Sequence, residues 1–183
     1  MKNQHLIFSV IAAFTWAVLF SSCSDDEPTL STQMGKQNNM GSGTTSGGSA
    51  PDFTLMSVSG GDVSLTDFSG KPLVIFFFGS TCPLCIASGP SVESGIHQAY
   101  SSEDIAIIGI DTWNGNHTAV NNFSNTTGVS FDLLLNGSQV EDDYEITYDR
   151  LVVVDAGGNV VFKGTTRASS DVDDVVSVLN GLL

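Results

Sequence analysis

One stretch of this chain, Leu73 to Cys85, constrains its fold more than any other: Leu-Val-Ile-Phe-Phe-Phe-Gly-Ser-Thr-Cys-Pro-Leu-Cys. Leu73 to Phe78 is an unbroken apolar run, too short to span a membrane and without the alternation of a half-exposed strand. It reads as a strand covered on both faces, as in a parallel sheet. Gly79-Ser80-Thr81 breaks the run into a short turn. Cys82 follows, and Pro83 after it is a residue type favoured in the first turn of a helix. Cys82 and Cys85 therefore stand at a strand-to-helix junction, on one helical face. Unpaired N–H groups and the dipole at a helix start favour an anion, so thiolate character and a lowered pKa are expected at Cys82. Cys85, one turn deeper, is placed to resolve a mixed disulfide.

The chain holds 3 cysteines, an awkward number for an exported protein. Its N-terminus accounts for the third. Lys2 and His5 precede an apolar run, Leu6 to Phe20, and then Ser21-Ser22-Cys23. Length and layout mark residues 1–22 as a signal peptide rather than a spanning helix of the mature protein. Small residues just before a cysteine look like a bacterial lipoprotein cleavage box, with Cys23 as the lipidated first residue; ordinary secretory cleavage near Cys23 is the alternative. Ser24-Asp25-Asp26-Glu27 resembles the acidic tag of surface-exposed lipoproteins, and reads equally as a solvated start to a linker. The expected location is extracytoplasmic, on the periplasmic face or the outer surface of an outer membrane. Residues 23–50, rich in Gly, Ser, Thr, Asn and Gln, offer almost nothing to bury and form a tether. As a random coil it would span on the order of 30 Å.

One domain follows, over residues 51–183. With 41% hydrophobic residues the chain is large enough for a single core, and its formal net charge of −14 argues against nucleic acid or anionic lipid as partners. Pro51 to Leu55 and Val63 to Leu65 read as short strands around the Gly60-Gly61-Asp62 turn, and Thr66 to Pro72 as a loop. A helix from the cysteines to about Tyr100 carries Pro90 inside it, which should kink it. Ile105–Ile110 is a second buried strand closed by Asp111, Asn116–Thr127 a polar helix, Phe131–Leu135 a strand and Gln139–Tyr144 a helical turn. Leu151–Val154 and Val160–Phe162 form a hairpin around Asp155-Ala156-Gly157-Gly158-Asn159. Val172, Val175, Val176, Leu179 and Leu182 mark the inner face of a closing helix. The order predicts an α/β fold, a mixed sheet flanked by helices.

At this point the chain resembles a thioredoxin-like fold of the redoxin group, and is similar to TlpA-like exported thiol-disulfide oxidoreductases. The likeness runs from about Ala50 to Leu183. It rests on Ala50-Pro51-Asp52-Phe53, on Phe68-Ser69-Gly70-Lys71-Pro72, on Cys82-Pro83-Leu84-Cys85 with Pro90 beyond it, and on Asp155 to Val161. The resemblance implies Cys82 as the attacking thiol and Cys85 as the resolving thiol, acting on protein or small-molecule thiols and disulfides without a cofactor, in a monomer tethered to a membrane through lipid at Cys23. The chain departs from that pattern in three places. Thr81 stands where the group usually has Trp, and Ser88 where an acidic residue is common. The cis-proline opposite the cysteines falls within Tyr148-Asp149-Arg150, where no proline occurs. Thr81, Pro83, Tyr148, Asp149 and Arg150 are the expected neighbours of the pair.

Rival chemistries use the same residues. A structural disulfide between residues this close would close little chain entropy and stabilise weakly. A peroxiredoxin-like thiol peroxidase would need an arginine at the thiolate, which Arg150 could supply; the Pro and Thr that peroxiredoxins place before their cysteine are missing around Cys82 and Cys85 alike. A copper or zinc module would draw on the thiolates with His97 or His117, although His97 reads more simply as an exposed helix residue and His117 as a capping one. The missing proline, which helps keep metal ions off such thiols, raises that alternative. The acidic cluster Glu141, Asp142, Asp143 and Glu145 lacks the spacing of a calcium loop. No metal is therefore assigned. Trp113 falls near the end of a strand, where sites gather in such sheets, or simply covers the core edge.

Overall fold

The computed structural model describes residues 47–183. The signal segment 1–22, Cys23 and the tether as far as residue 46 lie outside the described residues. The first paired elements are a small antiparallel hairpin, β1 (Thr54–Met56) and β2 (Asp62–Ser64), followed by a 3-10 turn at Leu65–Phe68. The central sheet comprises β3 (Leu73–Phe78), β4 (Ala106–Asp111), β5 (Asp132–Leu134), β6 (Arg150–Val154) and β7 (Val160–Lys163), in the order β5-β4-β3-β6-β7. β3 runs parallel to β4, and β4 to β5, while β6 is antiparallel to both β3 and β7. The helices are α1 (Pro83–Val92), α2 (His117–Thr127), α3 (Ser138–Asp143) and α4 (Ala168–Leu182).

Every residue of β3 is buried, as its unbroken apolar run requires. Alternation along that strand divides the core in two. Val74, Phe76 and Phe78 face Cys82 and Cys85 of the α1 start, Phe123 of α2, and Val175 and Leu179 of α4. Leu73, Ile75 and Phe77 face the opposite layer, with Phe53, Val140 and Tyr144. The cysteines thus sit on one named side of the sheet, and any residue of β6 can be assigned to a side from its register with β3.

Several boundaries differ from those read in the sequence, each for a physical reason. Main-chain pairing begins before residue 51, within the span read as a tether: Ala50 is buried, its N–H donates to the Gly158 carbonyl at 2.8 Å, and the Val160 N–H donates to the Gly48 carbonyl at 2.9 Å. That pairing is between main chains, so side-chain composition carries no sign of it. The helix after the cysteines does not run evenly to Tyr100. Pro90 has no N–H to offer the preceding turn, and beyond Val92 the chain continues as a wider π segment, Glu93–His97. On α4 the inner face is Ala168, Asp171, Val175 and Leu179, whereas Leu182 is exposed and Val176 only half-buried.

The π segment is held by a buried carboxylate. Glu93 accepts from the Ser130 N–H at 2.9 Å and the Ser130 hydroxyl at 2.7 Å, and meets His97 Nδ1 at 3.1 Å and Gln98 Nε2 at 3.0 Å. Burial alone would raise its pKa, but these hydrogen bonds, led by those from Ser130, outweigh burial and bring it from 4.5 to about 2. A carboxyl depressed on folding contributes stability that is present above its unfolded value and lost as the pH falls towards the folded one. The interval from 4.5 to about 2 corresponds to about 3 kcal/mol. Denaturant melts should therefore lose about that much between pH 5 and pH 2, and Glu93→Gln should flatten that limb; an unchanged acid limb in the variant would remove Glu93 as its source.

Candidate active site

Two loops meet at the C-terminal ends of β3 and β4. The first is the turn Gly79-Ser80-Thr81 that leads into α1, with Cys82 as the N-cap residue and Pro83 in the first turn. The Cys82 N–H donates to the Gly79 carbonyl at 3.0 Å, closing the turn. At the cap, the Cys82 sulfur occupies the acceptor role that a Ser or Asp oxygen usually fills, and takes the Cys85 N–H at 3.3 Å. The Cys85 sulfur accepts the Gly79 N–H at 3.4 Å. Both thiols are free, and both are buried, at 2% exposure for Cys82 and 0% for Cys85. Burial, then the hydrogen bond with Cys82, pushes the Cys85 pKa far up; the Gly79 N–H pulls against this, and charge on Cys82 and Asp149 adds to it. Cys85 is held as a thiol.

The second loop follows β4. Asp111, fully buried, accepts the Ser80 N–H at 2.8 Å through one carboxylate oxygen and the Gly115 N–H through the other. It ties the cysteine turn to the loop carrying Trp113. The approach is close: a Cβ on Gly79 would stand 2.5 Å from the Trp113 ring, so the indole lies on the turn itself. Trp113 meets Tyr148 edge-on, ring centroids 5.1 Å apart. Trp113, Tyr148 and Leu84 are 44%, 36% and 41% exposed, and with exposed Thr81 and Pro83 they rim the buried pair. Thr81 stands where the resemblance implies Trp, and the aromatic ring against the turn is that of Trp113, from the loop after β4.

Asp149 and Arg150 part company. Arg150 pairs with Phe77 across β3 and β6, so its side chain lies on the layer away from the cysteines. Its Nη1 donates to the Asp149 carbonyl at 2.9 Å. The arginine beside Cys82 that a peroxidase would need is thus turned away. Asp149 is the one that acts on Cys85. It adopts φ +57, a left-handed conformation that Asp tolerates better than most residues, and is 1% exposed. Burial raises its pKa; the Ser88 side chain and Ala168 N–H, with the charges of Arg150 and Arg167, act against that.

The histidines are engaged elsewhere. His97 belongs to the Glu93 cluster, and His117 Nε2 meets the Val58 carbonyl at 2.8 Å. Among the described residues, no three His, Cys, Asp or Glu side chains gather as a metal site would require. Asp111 is the site residue that the sequence reading passed over. Its one signal was an acidic residue closing a buried strand.

The Redoxin family model matches residues 45–179. The chain is 28% identical over 102 residues to the thiol-disulfide oxidoreductase ResA of Bacillus subtilis, covering 55% of this chain and 56% of that protein. It is 26% identical over 119 residues to the thioredoxin-like protein YneN of the same organism, covering 63% and 69%. The match with ResA thus spans little more than half of that relative's length. Among solved structures, the thioredoxin domain of a thiol-disulfide oxidoreductase from Bacteroides vulgatus superposes with a TM-score of 0.64 at 23% identity, covering 75% of this chain and 99% of that one. A thiol:disulfide interchange protein from Bacteroides sp. does so at 0.63 and 24%, covering 74% and 90%. The fold is thioredoxin-like.

Proposed function

The chain belongs to the redoxin family, and from that premise we propose that it is a thiol-disulfide oxidoreductase working through Cys82 and Cys85. The observation that carries this is the asymmetry of the pair. Cys82 caps α1 with a backbone donor aimed at its sulfur, while Cys85 lies one turn deeper and is held as a thiol. In the reductive direction, Cys82 attacks a partner disulfide and releases one thiol. Cys85 then displaces the second, and a Cys82–Cys85 disulfide remains. In the oxidative direction the same steps run backwards. The chemistry needs no cofactor, since the two sulfurs carry both electrons.

The rim of Trp113, Tyr148, Leu84, Thr81 and Pro83 is where a partner would lie, with apolar surface around a buried nucleophile. Protein or small-molecule thiols and disulfides are the proposed partners of a monomeric domain. The leader and Cys23 suit an exported protein held by lipid outside the cytosol, where a dithiol pair can cycle.

The test is the reduction potential of the pair, measured by equilibration with glutathione buffers in metal-free conditions. A reversible two-electron couple between about −270 and −120 mV is expected. A pair that never forms a disulfide, or one that stays oxidised under strong reductant, would overturn the exchange reading.

A further inference from the structure

A buried carboxylate without hydrogen bonds needs an explanation, because desolvation of its charge is costly. Both side-chain oxygens of Asp149 are buried and make no hydrogen bond of ordinary geometry; the Ser88 side chain and the Ala168 N–H lie near enough to ease its charge without satisfying it. The other buried acids near the core are committed: Asp111 to Ser80 and Gly115, Glu93 to Ser130, and one oxygen of Asp171 to the Thr166 hydroxyl. Asp149 is nevertheless fixed in position. Its own carbonyl accepts the Ala168 N–H at the start of α4, at 3.0 Å, and Arg150 Nη1 at 2.9 Å. Ser88, one turn beyond Cys85 on α1, acts on the Asp149 carboxyl, whose charge is felt at Cys85.

Cys85, in turn, is a thiol that must become a thiolate. It is fully buried, its sulfur takes the Gly79 N–H, and the one acceptor named for its thiol, the Cys82 sulfur, is no longer a thiolate once a partner sulfur is bonded to it. The titratable and charged groups acting around this point are Cys82 and Cys85 from α1, Arg167 at the start of α4, and Arg150 beside Asp149. A guanidinium offers donors and no acceptor, so neither arginine can take the proton. Ser88, on α1, is uncharged, and its hydroxyl bonds Ser169 at 3.3 Å.

Resting on the exchange reading above, we propose that Asp149 is the base that takes the proton from the Cys85 thiol as the mixed disulfide is resolved. The step balances as follows. With a partner sulfur bonded to Cys82, the Cys85 proton passes to the Asp149 carboxylate. The Cys85 thiolate attacks the Cys82 sulfur, the Cys82–partner bond breaks, and the Cys82–Cys85 bond forms. The partner leaves as a thiolate and is protonated by Asp149 or by water. The dithiol loses two electrons and the partner disulfide gains them. In the oxidative direction Asp149 returns the proton to Cys85 as the internal disulfide opens. The acid is delivered from the turn before β6 rather than from α1, where Ser88 stands.

The experiment is single-turnover reduction of 5,5′-dithiobis(2-nitrobenzoate) by the reduced full chain carrying Cys23→Ser, so that the pair alone reacts. Release of the first aromatic thiolate reports Cys82, and release of the second reports Cys85. Asp149→Asn should slow the second release on the order of 100-fold at pH 7, the contribution expected of a positioned base. The gap should narrow as the pH rises and hydroxide replaces the carboxylate. An equal rate and pH profile for the second release in the variant would overturn the role of Asp149. Failure of the parent chain to release a second equivalent would instead overturn the exchange reading itself. Infrared titration of the parent chain covers the case of a variant that does not fold. The buried carboxyl band should titrate at higher pH in the reduced form than in the oxidised form, and coincident titrations would count against the proposal.

Discussion

Disulfide exchange should fall to the uncatalysed background when Cys82 is replaced by serine, with no loss of fold. A hydroxyl at that position is a poor nucleophile towards sulfur and forms no mixed disulfide. The structural expectation runs the other way. The Cys82 side chain caps α1 by accepting the Cys85 N–H, and serine is among the best residues for that role. The melting temperature of Cys82→Ser should therefore equal or exceed that of the parent chain while the activity disappears, which separates chemistry from stability in one variant. Cys85→Ser makes the complementary case. It should still open a partner disulfide but stop at the covalent complex, visible as a stoichiometric adduct by mass spectrometry. Full exchange activity in Cys82→Ser, with a folded protein, would sink the mechanism.

How much of this was legible beforehand follows from what each feature depends on. The strand-turn-helix around the cysteines depends on local sequence alone. Six apolar residues, a Gly-Ser-Thr break and a proline fix it, and the structure places β3 and α1 there. The order of strands and helices was readable for the same reason. The choice between Asp149 and Arg150 was not. Side chains alternate across a strand, so a shift of one residue exchanges the two faces, and only the pairing of Phe77 with Arg150 decides which residue looks at the cysteines. Trp113 and Asp111 were hidden differently. Each sits about thirty residues from the turn it contacts, across a parallel pair of strands whose register a single sequence does not display. Pro90 announced an irregular helix, but the π segment depends as well on Glu93 reaching Ser130, a contact made only in three dimensions.

Asp111 is where stability and reactivity should fall together. Its carboxylate is fully buried and holds the Ser80 and Gly115 N–H groups, the first at 2.8 Å. The two loops are pressed against it: a Cβ on Gly115 would stand 3.0 Å from the Asp111 carboxylate and closer still to the Ser80 hydroxyl. Asp111→Ala leaves both donors without their acceptor, and hydrogen bonds to a charged group are worth about 1.5–3 kcal/mol each. The expected loss is about 3–5 kcal/mol, or roughly 10–20 °C in melting temperature for a domain of this size. Asp111→Asn should recover part of it, because its amide oxygen still accepts one N–H while its NH2 faces the other donor. The chemical consequence follows from the same contact. Ser80 lies two residues before Cys82, so releasing its N–H loosens the turn that aims the nucleophile, and the Trp113 loop parts from Gly79. Exchange should therefore slow in Asp111→Ala even at temperatures where it is fully folded. A melting temperature within a few degrees of the parent would mean that the Phe78 carbonyl, which takes the Thr112 N–H at 2.8 Å, suffices to hold the two loops together.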